Sequence, residues 1–436
     1  MFGGILVNAR RHSRHLSNVG AFLITRFIAI GLYAVSLPIF INRTSDAAYG
    51  VIAIGFSFIA ISQLLDVAVG YVVAQSIGRR LARTSRQHLK LFNTLFWVYF
   101  LCAATLAILL VFIFMNVELS EDERNLFIWI GLLLPSLATS GIVAAIFQAN
   151  NSLLYLNASR FIFEAGKAAA LIISALLFAE PGAVGPILFV VVVLRAVLDL
   201  RELKVRFGYH LYPPNFKDML RSLPLLKLGL PSLWMVLLSL FVNIGDKLLI
   251  AQFFSKTDVA YYSLAFDVNT KAYLILGAIN SAMYAAMIRN HALRRSSSVQ
   301  IQIGLVAVVT MGLLYYLPLA LFSKKILSLW VSPEFGAATA HLVPIFSLAS
   351  LAYLCANVFE ISLLAKGLSV NLFKIYCVAV LIYFITLLLL VRLIGLSSFA
   401  WAYVIMNITI LIGVLIRYRG YSTNLILKTN PNATEE

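Results

Sequence analysis

Four ionisable residues lie inside two long apolar stretches near the middle of the chain: Asp246, Lys247, Asp267 and Lys271. A charged side chain at the centre of a bilayer-spanning helix costs roughly 2.5 to 3.5 kcal/mol, so we expect these residues to face a hydrated interior surface rather than lipid. Carboxylates in such places exchange protons or bind cations, and lysines bind phosphate. The residue types therefore indicate a pathway for ions or for an anionic substrate.

The two stretches meet at a polar turn, residues 255–257, which predicts two antiparallel helices with Asp246 and Asp267 at one depth. Asp267 and Lys271 are four residues apart and therefore share one helical face. This pair either neutralises itself and holds two helices together, or lines a wet surface. Asp246 and Lys247 point about 100° apart on a helix, so they cannot fully satisfy each other.

The first half of the chain carries its own charges in apolar sequence. Arg26 and Asp66 flank the first predicted turn at similar distances. Arg160, Glu164 and Lys167 are spaced by four and three residues, which places them on one face. That face is either a self-satisfied ladder or, because it keeps one positive charge, the lining of a cavity that water or an anion reaches.

Other polar residues in apolar sequence have simpler explanations. Snorkelling to the bilayer surface explains the Arg195/Asp199 pair and Glu360 near Lys366. Several amides are of the kind that bind sugars, although interhelical hydrogen bonding is the more general explanation for each. These amides are Asn243, Asn269, Asn280, Gln75 and Gln148.

Composition defines the class of protein. The 436 residues are 61% hydrophobic and 12% charged, whereas about 25% charged residues is usual for a soluble domain. The chain is therefore expected to be a multi-pass membrane protein.

The net charge of +16 comes largely from short loops, so it indicates membrane topology and not a nucleic-acid partner. The three cysteines lie in apolar sequence and suggest neither disulfides nor a metal site.

Apolar runs of about 20 residues, long enough to span a bilayer as helix, recur about twelve times. The predicted spans are 18–41, 48–77, 89–114, 126–149, 155–178, 183–200, 228–254, 258–288, 299–322, 339–365, 370–391 and 396–416. The longest connection, 201–227, divides them six and six. We therefore predict an N-terminal six-helix lobe at 1–210, a C-terminal six-helix lobe at 211–420 and a cytoplasmic tail at 421–436.

The loops alternate in charge. Most Lys and Arg residues fall in one set of loops, which places that set and both termini in the cytoplasm. The other set holds the turns at Asp46, Glu180 and Lys256, the acidic loop around Glu121, and the segment 323–339. No cleavable signal sequence is indicated before the first span.

The two halves also show a weak internal repeat. The turn at residues 43–50 aligns with residues 256–262, with a basic residue, Thr, Asp, Ala and Tyr in common. Because each half has an even number of spans, the repeats have the same orientation, and a pathway is expected between two lobes.

The chain resembles a known superfamily. The features in common are the six-plus-six topology, the Tyr49-Gly50 hairpin, Asp66 before the basic Arg79-Arg80 loop, and Asp246-Lys247 followed by Asp258-Val-Ala-Tyr261. They resemble the polysaccharide transporter branch of the multidrug/oligosaccharidyl-lipid/polysaccharide exporter superfamily, and within it the Wzx-type flippases of O-antigen and exopolysaccharide repeat units. The chain departs from that pattern with Ala260 where Gly is usual, and with Val67 and Ala68 after Asp66.

This resemblance implies an all-α, V-shaped, MATE-like fold in the bacterial inner membrane. It implies alternating access, with an undecaprenyl-diphosphate-linked oligosaccharide moved from the cytoplasmic to the periplasmic leaflet. A proton or sodium gradient would drive the cycle, and polysaccharide polymerase or assembly proteins would be partners. Substrate-binding candidates are Arg26, Arg160, Lys167, Lys247 and Lys271, and ion-coupling candidates are Asp66, Glu164, Asp246 and Asp267. The depths of these charges predict a relay from the Arg160/Lys167 face to the Lys247/Lys271 face.

Two other classes of protein compete with a flippase. A drug or organic-cation antiporter would share the architecture but should prefer an acidic or aromatic cavity. A membrane glycan polymerase or acyltransferase usually needs a large external loop or a His-plus-carboxylate site, and the six His residues lie in or beside loops. We therefore expect a secondary transporter without a cofactor, not an enzyme. The acidic run 121–123 is expected to be a solvated turn and not a metal site.

Overall fold

The computed structural model describes residues 24–60 without Arg26, and residues 85–149, 152–213, 216–292 and 297–429. Two candidate residues, Arg26 and Asp66, lie outside this set. The described chain is helical, with no strand in these ranges. Its helices are α1 (Phe27–Arg43), α2 (Asp46–Ile59), α3 (Ser85–Asn116), α4 (Glu121–Ala149), α5 (Leu153–Ile173), α6 (Val184–Phe207), α7 (Phe216–Phe253), α8 (Lys256–Ala292), α9 (Ser298–Leu321), α10 (Ser323–Trp330), α11 (Pro333–Thr339), α12 (Leu342–Ala365), α13 (Ser369–Ile394) and α14 (Ser397–Thr429).

Each predicted span overlaps a helix in the described ranges, although residues 18–23 and 61–77 of the first two spans lie outside them. Within the described ranges, nine helices are long and apolar enough to cross a membrane. The remaining three predicted spans correspond to the shorter apolar helices α1 and α2, and to α8, which carries Asp267 and Lys271. The short helices α10 and α11 were not predicted, because neither is long enough to give a hydropathy signal. The all-α membrane architecture expected from composition is confirmed.

The chain packs as two compact units, Met1–Ala260 and Tyr261–Glu436. In the first unit α4 is the central helix, and most of its residues are buried. In the second unit Tyr262 and Phe346 pack with ring centroids 5.2 Å apart. The boundary lies within α8, so α7 packs with the first unit, and the division into six-helix lobes after residue 210 stays a prediction.

Several loops predicted on one side of the membrane meet at one end of the first unit. Lys256, in the turn between α7 and α8, pairs with Glu123 in the first turn of α4. Gly182, after α5, lies against the backbone of Asp122. Gly50 in α2 lies against the carbonyl of Lys256. The structure therefore places the loops at Asp46, Glu121, Glu180 and Lys256 together, as their charge pattern predicted.

Helices α2 and α8 begin in the same way. The side chain of Ser45 accepts a hydrogen bond from Ala48 N at 3.1 Å, and that of Ser255 accepts one from Asp258 N at 3.0 Å. Such caps satisfy backbone donors that the first helical turn leaves unpaired. Because these two serines cap their helices in the same way, Ser45 is structurally equivalent to Ser255. The alignment predicted from the sequence had instead paired residues 43–50 with residues 256–262. In this register Gly50 is equivalent to Ala260, and these two residues approach each other.

Substitution of Gly50 tests this close approach. A Cβ atom at Gly50 would overlap the backbone oxygen of Lys256 and lie 3.4 Å from Ala260 N. A backbone atom cannot move aside as a flexible side chain can, so Gly50→Ala should lower the free energy of unfolding by roughly 1 to 3 kcal/mol. Thermal unfolding of the purified protein in detergent measures this change. Gly31→Ala is the control, because no atom lies within 4 Å of its added Cβ; an equal loss in both variants would contradict the packing.

Candidate functional site

The Arg160 face of α5 packs beside α6. Glu164 Oε2 lies 2.6 Å from Lys167 Nζ, and the two side chains keep 23% and 19% of their surface exposed. The ring of Phe163 lies between two cations, with Lys167 Nζ at 4.9 Å and the Arg195 guanidinium at 5.4 Å from its centroid. Arg160 is half-buried one turn earlier on α5. The ion pair expected from the spacing is therefore formed, and it stays accessible.

Arg195 and Asp199 are buried, so the expectation that they snorkel is wrong. Arg195 is only 7% exposed and Asp199 only 2%. Asp199 accepts hydrogen bonds from Tyr155 Oη and Ser159 Oγ, both at 3.0 Å. Arg195 Nε donates to Ser159 Oγ at 3.0 Å and lies 3.6 Å from Asp199 Oδ2. These hydroxyls on α5 compensate for the loss of water around the two charges.

We call this group of side chains the α5–α6 cluster. It contains three cations and two carboxylates, so its net charge is positive. Its inner half, Arg195 with Asp199, is enclosed, whereas its outer half, Lys167 with Glu164, is partly exposed. Its residues are Tyr155, Ser159, Arg160, Phe163, Glu164, Lys167, Arg195 and Asp199. The cluster can therefore present ammonium and guanidinium groups to an anion.

Lys247 is enclosed between helices. Its ammonium donates to Ser57 Oγ at 2.7 Å and to the carbonyl of Ala53 at 3.3 Å, both on α2. Lys247 and Asp246 are 5% and 2% exposed. In this arrangement Lys247 connects α7 to α2. Contact between Lys247 and a substrate would therefore require its hydrogen bonds to Ser57 and Ala53 to break.

The third group lies on α8 in the second unit. Asp267 and Lys271 are both half-buried. Between them, Asn269 is fully buried and donates to Ala265 O at 2.8 Å and to Val343 O at 3.3 Å. Asn269 Oδ1 accepts from Ser347 Oγ at 2.8 Å. Interhelical hydrogen bonding therefore explains Asn269, while the roles of Asp267 and Lys271 stay predictions.

Glu360 was expected to snorkel, and this expectation is also wrong. Glu360 lies on α12 and is only 4% exposed. Asn357 Nδ2 donates a hydrogen bond to Glu360 Oε2 at 3.4 Å. The phenol of Tyr376 on α13 lies beside the same carboxyl group. Within the described part of the chain, Oε1 of Glu360 has no hydrogen-bond partner. Spacing along α12 did not predict this burial, because Tyr376 belongs to another helix.

The acidic run 121–123 has a structural role. Ser120 N donates to Glu123 Oε2 at 3.2 Å, and Glu123 N donates to Ser120 Oγ at 3.4 Å. This reciprocal capping box starts α4. The same carboxylate pairs with Lys256. Across the described ranges, no group of three or more His, Cys, Asp or Glu residues could hold a metal ion.

The helices and their buried charges define a multi-pass α-helical membrane protein. No protein family and no curated protein matches the chain at the level of sequence. Solved structures do match it over almost its whole length. The lipid II flippase MurJ aligns with a TM-score of 0.71 and 14% identity, over 91% of this chain and 87% of MurJ.

Two MATE transporters also match the chain over almost its whole length. A MATE family transporter of the MOP superfamily, in an inward-facing conformation, gives a TM-score of 0.73 at 13% identity, over 90% of this chain and 94% of that transporter. A mutant of the Vibrio cholerae MATE transporter VcmN gives 0.68 at 14% identity, over 94% and 98%. The chain therefore has the MATE-like fold that this flippase and these two transporters share.

The buried and exposed ion pairs of α6 provide a matched test of the cluster. Asp199→Ala leaves the Arg195 charge buried without its carboxylate, which should cost roughly 3 to 5 kcal/mol of stability. Glu202→Ala breaks the exposed pair with Arg206, four residues along the same helix, and should cost about 0 to 1 kcal/mol. Thermal unfolding in detergent compares the two variants. Similar losses would show that the inner half of the cluster is not enclosed as the structure has it.

Proposed function

We propose that this protein is a flippase for lipid-linked glycans. It moves an undecaprenyl-diphosphate-linked oligosaccharide from the cytoplasmic to the periplasmic leaflet of a bacterial inner membrane by alternating access. The observation that carries this proposal is the α5–α6 cluster, in which partly exposed Lys167 belongs to a net positive group inside apolar helices. The likeness in fold to a lipid II flippase supports it.

A diphosphate suits this cluster chemically. Phosphate oxygens accept charge-assisted hydrogen bonds from ammonium and guanidinium groups, and these bonds are roughly twice as strong as neutral ones. The ring of Phe163 contacts both Lys167 and Arg195, and such cation–π contacts hold the cations in place before an anion arrives. Arg160 adds a planar fork of donors one turn away.

The Glu164–Lys167 ion pair links binding to proton uptake. When a phosphate takes Lys167 as its partner, Glu164 loses one cationic neighbour. A carboxylate with less positive charge beside it, in surroundings of low dielectric, takes up a proton more readily. Release of the phosphate restores the ion pair and returns the proton. Glu164 is therefore the ion-coupling residue that we place in contact with the substrate site. Asp66, Asp246 and Asp267 remain coupling candidates from the sequence.

The relay between the two groups of cations remains part of the proposal. Lys247 would receive the diphosphate only after leaving Ser57 and Ala53. Lys271 is half-buried on α8 and is the second candidate of that group. The Arg160/Lys167 group would bind the headgroup first, since Lys167 keeps 19% of its side chain exposed whereas Lys247 is enclosed.

A drug or organic-cation antiporter is the second candidate. The likeness to MATE transporters favours it as strongly as the MurJ likeness favours a flippase. Against it stands the charge of the α5–α6 cluster, because a net positive site repels an organic cation.

Substitutions in the cluster test the flippase proposal. Lys167→Gln removes an ammonium group that binds phosphate, and a lost hydrogen bond to a charged group corresponds to roughly tenfold or more in affinity. Translocation of a fluorescent undecaprenyl-diphosphate oligosaccharide in proteoliposomes should fall accordingly, and Lys167→Arg should retain most of it. Lys204→Gln is the control, because Lys204 is an exposed cation on α6 outside the cluster.

Glu164→Gln separates coupling from binding. This variant cannot take up a proton at residue 164, so translocation should continue but lose its response to an imposed proton gradient. Wild-type translocation by folded Lys167→Gln would rule out the cluster as the substrate site. An unchanged gradient response in Glu164→Gln would rule out the ion pair as the coupling element.

A further inference from the structure

The short helix α10 has three distinct faces. It begins at Ser323, with Phe322 between it and the end of the span α9, and its sequence is SKKILSLW. Ser323 and Leu327 are buried and hold it to the second unit, with Ser323 Oγ donating to Ala340 O at 3.1 Å. A second face is apolar and exposed, with Leu329 80% accessible. The third face carries Lys324 and Lys325, both exposed.

The position of α10 is fixed by its neighbour α11. Ser332 caps α11 by accepting from Phe335 N at 3.1 Å. Phe335 is fully buried, and Gly336 lies against the backbone and hydroxyl of Ser328. A Cβ atom at Gly336 would overlap Ser328, so glycine permits this close contact. The two short helices therefore form a preorganised structure and not a loose loop.

A shallow cavity of about 430 Å³, largely open to its surroundings, lies on the basic face of α10. The side chains around it combine two ammonium groups, two hydroxyls and two apolar groups, with no carboxylate among them. They are Leu321, Phe322, Ser323, Lys324, Lys325 and Ser328. This arrangement is complementary to a phosphate group attached to an apolar chain.

The position of the cavity at the end of a spanning helix favours a lipid as the source of that phosphate. α9 is a predicted span and ends at Leu321, so the cavity lies where a spanning helix leaves the hydrocarbon. Leu321 and Phe322 are 68% and 57% exposed and would contact acyl chains. An amphipathic helix with apolar and basic faces lies at this level of a bilayer and is attracted to anionic lipids.

We propose that this cavity binds the headgroup of an anionic phospholipid of the surrounding bilayer. Lys324 and Lys325 contact the phosphate, Ser328 donates a hydrogen bond, and Leu321 and Phe322 receive the first part of the acyl chains. The lipid ties the α10–α11 segment to the membrane surface. This site is separate from the α5–α6 cluster and does not depend on the flippase proposal.

Photo-crosslinking to the full-length protein tests this site. The protein in lipid nanodiscs is irradiated with a trace of photoactivatable phosphatidylglycerol, and the labelled peptides are identified by mass spectrometry. Label should appear within residues 321–330. Because each lysine near an anionic surface contributes about fivefold in affinity, Lys324→Gln/Lys325→Gln should reduce this label roughly 30-fold. Lys324→Arg/Lys325→Arg should restore it.

Matched controls separate a built site from general lipid contact. Arg201→Gln/Lys204→Gln removes two exposed cations elsewhere and should leave the label at 321–330 unchanged. A phosphatidylcholine probe should label this segment weakly, and excess inorganic phosphate should not displace the phosphatidylglycerol probe. Equal labelling by both lipids, displacement by phosphate, or full labelling of the Lys-to-Gln variant in its folded form would each overturn the proposal.

Discussion

Taking a charged side chain out of water into a lipid environment is unfavourable unless other polar groups replace the lost hydration. Much of this structure follows from that constraint. Asp199 receives two hydroxyl hydrogen bonds in addition to Arg195, and Lys247 receives a hydroxyl and a carbonyl oxygen from α2. At the end of the first unit, Glu123 caps its own helix and pairs with Lys256. These interactions join α5 to α6, α7 to α2, and α4 to the first residue of α8 within that unit.

The same constraint separates structural charges from functional candidates. Arg195, Asp199, Asp246 and Lys247 are all under 10% exposed, so they are suited to holding helices together. Lys167 and Glu164 are equally surrounded by apolar sequence but keep about a fifth of their side chains accessible. A charge that is partly open inside a membrane protein needs water or a ligand. This difference makes the outer half of the α5–α6 cluster the better candidate for contact with substrate.

The sequence predicted those features of the structure that are set locally, within one helix or one loop. The positions of the spans, the Glu164–Lys167 pair and the grouping of four loops at one end all follow from hydropathy, helical periodicity and loop charge. The contacts between distant helices could not be predicted in this way. Ser57 and Lys247 are 190 residues apart, and Ser159 and Asp199 are 40 apart. Periodicity gives the face of a helix but not the helix that this face meets, so Asp199 and Glu360 were wrongly expected at the bilayer surface.

A leaflet-resolved transport assay on the wild-type protein distinguishes a flippase from an antiporter most directly. Proteoliposomes with an imposed proton gradient would receive either a fluorescent undecaprenyl-diphosphate oligosaccharide or a fluorescent organic cation. A flippase with a cationic site moves the glycan lipid between leaflets and leaves the organic cation where it was added. Movement of the organic cation alone, across several glycan lipids, would contradict the flippase and leave the α5–α6 cluster as a structural element.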